Sequence, residues 1–76
     1  MPTGFSRDFG ALVRSLREER GFSQEELAER AGLHRTHVSL LERAQRSARL
    51  ETIEQLARAL GVQPAELMPR IRLRRR

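Results

Sequence analysis

The sequence predicts a compact all-α domain of five helices. Apolar residues recur at three- and four-residue intervals along separate stretches, and glycine follows three of these stretches. No alternating apolar pattern of useful length suggests a strand. A single domain of 76 residues buries only about 60% of the surface that its unfolded chain exposes, so dimerisation would be a natural supplement to its stability.

The first helix is predicted over residues 6–20 and ends before Gly21. The second and third helices are predicted over residues 24–31 and 35–43, joined by a tight turn at Gly32. Ser23 followed three residues later by Glu26 is typical of a capping box at the start of the second helix. The third helix exposes a polar N-terminal turn, a layout that suits entry into a DNA major groove.

The fourth helix is predicted over residues 50–60, and a fifth over residues 64–68 begins with Pro64. The domain is expected to span residues 1–69 and to be followed by an arginine-rich tail, residues 70–76. The predicted core is drawn from the inward faces of the first four helices and the turns between them: Phe9, Leu12, Val13, Leu16, Phe22, Leu27, Leu33, Val38, Leu41, Leu50, Ile53, Leu56 and Leu60.

Three consecutive segments, LREERGFSQEELAERAGL, HRTHVSLLER and LETIEQLARALGVQPAELM, resemble the XRE or phage-repressor-like helix-turn-helix family. The segment GLHRTHVSLLER is also similar to small controller proteins of restriction–modification systems. The resemblance implies a compact repressor-like domain that binds double-stranded DNA in a sequence-specific manner and regulates transcription as a homodimer on a pseudopalindromic operator. It also implies a partly buried ion pair between Arg17 and Glu42. No catalysis and no cofactor are expected, because the motif lacks a nucleophile–base pair.

The resemblance also assigns base-reading positions at the start of the third helix. Arg35, Thr36 and Leu40 match these positions, and His34 and His37 flank them. An arginine can donate two hydrogen bonds to O6 and N7 of guanine, while a threonine methyl or a leucine can contact the thymine methyl group. Four further residues match positions that contact the DNA backbone: Gln24, Arg43, Gln45 and Arg46.

The charge distribution is compatible with a nucleic-acid ligand. The net charge is +5, and all 15 basic residues are arginines. Five of them lie within residues 70–76, so the remaining ten balance the ten acidic residues. A flexible basic tail can follow phosphates, although a solvated basic face would have the same composition.

A homodimer needs an exposed apolar surface, and the C-terminal residues Val62, Leu67, Met68 and Ile71 are the candidates. Packing at the edge of the core is the alternative role for these side chains. The chain departs from the family pattern at three positions. Ala44 replaces the usual glycine after the third helix, so the loop is expected to take another path. Arg49 precedes the fourth helix without a capping side chain, and His34 is expected to be a poor cap.

Several functional classes are disfavoured by the composition. The chain has no cysteine, and its two histidines lack a third ligand, so neither a disulfide nor a metal site is expected. No apolar run approaches a membrane span, and a cytoplasmic protein is expected. Two alternatives stay open: an antitoxin or anti-repressor module that docks a protein through residues 71–76, and an RNA-binding or nucleoid protein acting through its tail. Three phenylalanines without tyrosine or tryptophan argue against base stacking.

Overall fold

A computed structural model describes residues 4–69. Four α-helices and one short 3-10 helix follow one another in this part of the chain: α1 (Gly4–Glu19), α2 (Gln24–Ala31), α3 (Arg35–Glu42), α4 (Leu50–Leu60) and the 3-10 helix (Pro64–Leu67). The all-α prediction is confirmed. The fifth helix is shorter and tighter than predicted, since Pro69 disfavours a helical conformation at Met68. The predicted tail, residues 70–76, lies outside the described residues.

The C-terminal ends of α2 and α3 have the same left-handed conformation. Gly32 ends α2 with φ 73°, and the Leu33 N–H donates to the Ala28 carbonyl at 2.8 Å. Ala44 adopts the same conformation after α3, with φ 58°, and the Gln45 N–H donates to the Leu40 carbonyl at 2.9 Å. The expected alternative loop path is therefore wrong. The buried Ala44 methyl group and this hydrogen bond offset a left-handed penalty of about 1 kcal/mol.

The N-terminal caps differ from the predicted pattern in two cases. The Ser23 hydroxyl accepts the Glu26 N–H at 3.0 Å, but the Glu26 carboxylate pairs with Arg30 at 3.3 Å, so only half of the capping box is formed. The expectation for His34 is wrong, because its Nδ1 accepts the Thr36 N–H at 3.1 Å and caps α3. The N-terminus of α4 has no side-chain cap at Arg49, as predicted.

The core lies between the four α-helices, where α1 and α2 each pack against α3 and α4, and most of its predicted members are buried. Leu16, Phe22 and Leu33 are half-buried at its edge, and Leu12 is half-buried outside this cluster. Leu50 is wrongly predicted, because it is 81% exposed. It occupies the first turn of α4, where side chains tilt towards the N-terminus and away from the packed helices. Leu67 of the 3-10 helix enters the core instead, with no exposed surface.

A close approach between α1 and α3 depends on Gly10. A Cβ atom at this position would lie 2.8 Å from the Glu42 carbonyl oxygen, and closer still to that of Leu41. The two helices can therefore meet backbone to backbone only because residue 10 has no side chain. This role of Gly10 was not predicted, since helical spacing gives no sign of which glycine faces another backbone. Within residues 4–69, no helix is both long and apolar enough to cross a membrane.

Candidate nucleic-acid interface

The third helix is held against the first by a nearly buried ion pair. Arg17 Nε donates to Glu42 Oε2 at 2.7 Å and Arg17 Nη2 donates to Glu42 Oε1 at 3.1 Å. A third bond runs from Arg17 Nη1 to the Phe22 carbonyl oxygen at 2.8 Å. The hydrogen bond to Glu42 raises the pKa of Arg17, against the opposing effect of burial. The ion pair implied by the family resemblance is therefore present, and it fixes α3 relative to α1.

Gln24 joins this ion pair. Its Nε2 donates to Glu42 Oε1 at 3.0 Å, so one amide hydrogen is used inside the protein. The amide carries a second hydrogen, which is available to another acceptor. Gln24 and Arg35 line the same shallow cavity, which lies between the N-termini of α2 and α3. The phosphate contact predicted for Gln24 stays a prediction. Any such contact would be made by a side chain that is already held in place by the Glu42 carboxylate.

The first turn of α3 presents polar side chains to solvent. His34, Arg35 and Thr36 are exposed, as a base-reading surface requires. Leu40 lies one turn beyond Thr36 on the same side of the helix and is half-buried. His37 is half-buried and lines a different cavity from Arg35. The contacts of these residues with DNA stay a prediction.

The loop after α3 supplies additional positive charge. Arg43, Gln45 and Arg46 are exposed, which is compatible with their predicted backbone contacts. Arg46 also lines a cavity with His37 and Arg49. Burial lowers the pKa of His37, and the positive charges of Arg46 and Arg49 lower it further. Arg49 was not among the predicted DNA contacts, and it lies beside Arg46 just before the uncapped start of α4.

The predicted dimer residues do not form one exposed patch. Leu67 is fully buried in the core of the monomer, so its assignment to an exposed interface is wrong; the tight 3-10 turn directs it inward. Val62 is half-buried against the core. Met68 is 40% exposed, while Ile71 lies outside the described residues. The exposed Leu50 and Met68 side chains instead line one open groove, whose other lining residues are Glu51, Ile53, Glu54, Pro64 and Ala65.

The chain is similar to known DNA-binding regulators. A family profile described as helix-turn-helix matches residues 13–67. The control protein C.BamHI of Bacillus amyloliquefaciens is 46% identical over 61 residues, which are 79% of this chain and 75% of that protein. The control protein C.SmaI of Serratia marcescens is 45% identical over 58 residues, covering 76% of this chain and 69% of the relative.

A solved structure shares both the fold and much of the sequence. The restriction-modification controller protein C.AhdI from Aeromonas hydrophila superposes with a TM-score of 0.81 at 44% identity, over 83% of this chain and 96% of that chain. A hypothetical transcription factor from Neisseria gives a TM-score of 0.82 at 40% identity, over 86% of this chain and 75% of the other. The chain therefore belongs to the XRE-type helix-turn-helix family of DNA-binding transcriptional regulators.

Proposed function

We propose that this protein binds a pseudopalindromic operator as a homodimer and places α3 of each protomer in the major groove. The observation that carries the proposal is the exposed first turn of α3, set on a helix whose other end is anchored by the Arg17–Glu42 pair. A reading helix must be rigid to distinguish bases, since a hydrogen-bond pattern is informative only at a fixed position. Because the ligand is genomic DNA, we also propose that the protein acts in the cytoplasm.

The roles of individual side chains follow from their positions. Arg35 and Thr36 contact base edges, and Leu40 meets a thymine methyl group one turn further along. His34 and His37 flank this surface and contact either a base or a phosphate. Gln24 uses its remaining amide hydrogen for a phosphate at the N-terminus of α2. Three loop residues contact the backbone of the same half-site: Arg43, Gln45 and Arg46.

The dimer surface is proposed to include the groove between α4 and the 3-10 helix. Leu50 is a large apolar side chain with 81% of its surface exposed, and Met68 lies in the same groove. Covering them with a second copy removes apolar surface from water, which the small core of this domain cannot do alone. A dimer also places two reading helices on half-sites about 34–36 Å apart, one turn of DNA.

Selection of genomic fragments by the purified protein tests this function. We expect the enriched fragments to share a two-fold repeated site, and a duplex carrying this site should bind two protomers by light scattering. Enrichment without a common sequence would instead favour the nucleoid or RNA-binding alternative. Failure to enrich DNA, together with capture of a protein through residues 71–76, would favour the antitoxin or anti-repressor alternative.

A further inference from the structure

A polar cavity of about 320 Å³ lies beside the reading helix, between α3, the loop that follows it and the start of α4. His37 of α3 faces Arg46 and Arg49 of the loop across this space. None of the described ion pairs involves either arginine. The cavity thus concentrates positive charge that no carboxylate of residues 4–69 neutralises through a direct contact.

The lowered pKa of His37 is consistent with this excess of positive charge. Burial lowers the pKa of His37, and the charges of Arg46 and Arg49 act in the same direction. The imidazole therefore loses its proton more readily than a free histidine, because a third cation is unfavourable in this position. An anion between the two guanidinium groups would reverse this effect.

Thr52 supplies an independent sign of a ligand. It is the buried polar residue of the described chain, only 6% exposed, and it lines the cavity. Its hydroxyl takes part in none of the side-chain hydrogen bonds found within residues 4–69. Since no fully buried side-chain oxygen there is left without a partner, the Thr52 hydroxyl must reach the open space of the cavity. The uncapped first turn of α4 adds free N–H groups nearby.

We propose that this cavity binds a phosphate oxyanion through Arg46, Arg49 and the Thr52 hydroxyl, and that His37 takes up a proton as the anion enters. The inference rests on the proposed DNA-binding function, with a backbone phosphate of the operator as the anion. Protonated His37 then donates a hydrogen bond or adds a third positive charge to the site. Binding of DNA becomes coupled to pH at a residue that need not read any base.

The remaining polar side chains of the cavity set its limits. Glu51 at the start of α4 also lines it, and its negative charge opposes an anion. Gln55 is neutral, and its Nε2 lies near Gly32 in the turn before α3. Neither α1 nor α2 contributes a described residue to the lining, so the charged groups facing His37 are Arg46, Arg49 and Glu51. Glu51 and Arg49 thus carry opposite charges in the lining of the same cavity.

An NMR titration of the histidine ring signals tests this inference. The pKa of His37 is measured for the free protein, with inorganic phosphate, and with a duplex that carries the selected site or, if none is selected, a mixed-sequence duplex. We expect the duplex to raise the pKa of His37 by about one unit or more. Duplex affinity should then be about tenfold higher at pH 5 than at pH 8, and His37→Gln should remove this difference.

Two variants locate the anion. Arg49→Gln should remove most of the rise in the pKa of His37, while Glu51→Gln should strengthen phosphate binding because it removes the opposing charge. A rise that survives Arg49→Gln would place the anion elsewhere and overturn the inference. If the duplex binds without raising the pKa of His37, the inference is wrong and the proposed function stands.

If no duplex binds, the proposed function fails and the phosphate titration decides alone. A rise with inorganic phosphate that Arg49→Gln abolishes would keep the cavity as a site for a free anion. An unchanged pKa of His37 in both titrations would overturn the anion site together with its coupling to a proton.

Discussion

Arg17 and Glu42 join α1 to α3 through two parallel hydrogen bonds, at 2.7 and 3.1 Å, while the Glu42 side chain is only 2% exposed. The Arg17 side chain is 11% exposed, so each buried charge is compensated mainly by the opposite charge of its partner. The pair sets the position of the reading helix more than it adds net stability, because desolvation offsets much of the attraction between buried charges.

We predict that Glu42→Ala lowers the free energy of unfolding by about 3–5 kcal/mol, since it leaves the Arg17 guanidinium almost buried without its partner. Urea unfolding measures the change. The matched control is Arg14→Ala, which breaks the exposed Arg14–Glu18 pair and should cost less than about 0.5 kcal/mol. Equal effects of the two substitutions would show that burial does not distinguish the pairs.

Gly10→Ala should destabilise the protein, because the new methyl group would meet the carbonyl oxygens of Leu41 and Glu42. Backbone cannot move aside as a flexible side chain can, so we expect a loss of about 1–3 kcal/mol or more in thermal or urea unfolding. Gly4→Ala is the control, since it lies in the same helix with open space around it and should be close to neutral. A neutral Gly10→Ala would contradict the close approach of α1 and α3.

Arg35→Ala should weaken binding to the selected operator by about 1–3 kcal/mol and relax the preference at one guanine. Arg43→Ala is the control, because a phosphate contact carries no base identity and its loss should weaken operator and random duplexes alike. Gel-shift titrations on both duplexes measure the two ratios. If Arg35→Ala weakened both duplexes equally, the base-reading role would be wrong.

Leu50→Glu and Met68→Glu should give folded monomers by light scattering, with much weaker operator binding, because both exposed side chains lie in the proposed dimer groove. Leu67→Ala should act differently, since Leu67 is buried within the monomer, and it should cost about 2–5 kcal/mol in unfolding. Stable dimers of both glutamate variants would exclude this groove as the interface.

Stability should fall as the pH drops below about 6.5, because the pKa of His37 is lowered in the folded protein from its ordinary value of 6.5. The unfolded chain then binds the proton more readily, so acid favours unfolding between pH 6.5 and the lower folded value. Urea unfolding across this range measures the slope, and His37→Gln should flatten it. A slope that is unchanged in His37→Gln would remove the assignment to His37.

The sequence by itself determined the α-helices, the glycine turns after α1, α2 and α4, and the polar first turn of α3. These features are local: helical spacing, Ser23 at an N-terminus and Gly32 at a C-terminus act within a few residues of chain. Three sequence segments, in their order along the chain, were also enough to recognise the family. The ion pair between Arg17 and Glu42 could be expected only from that resemblance, since 25 residues separate its partners.

Only the tertiary structure decided which apolar side chains face outward and what else the polar residues contact. Leu50 was expected in the core and is exposed, while Leu67 was expected at an exposed interface and is buried. Packing of α4 and the 3-10 helix, rather than periodicity, determines burial at these helix ends. The same packing directs the Gln24 amide to Glu42 and brings His37 beside Arg46 and Arg49. The physical reason is that burial and electrostatic contact depend on distances in space, which are set by how the helices pack against each other.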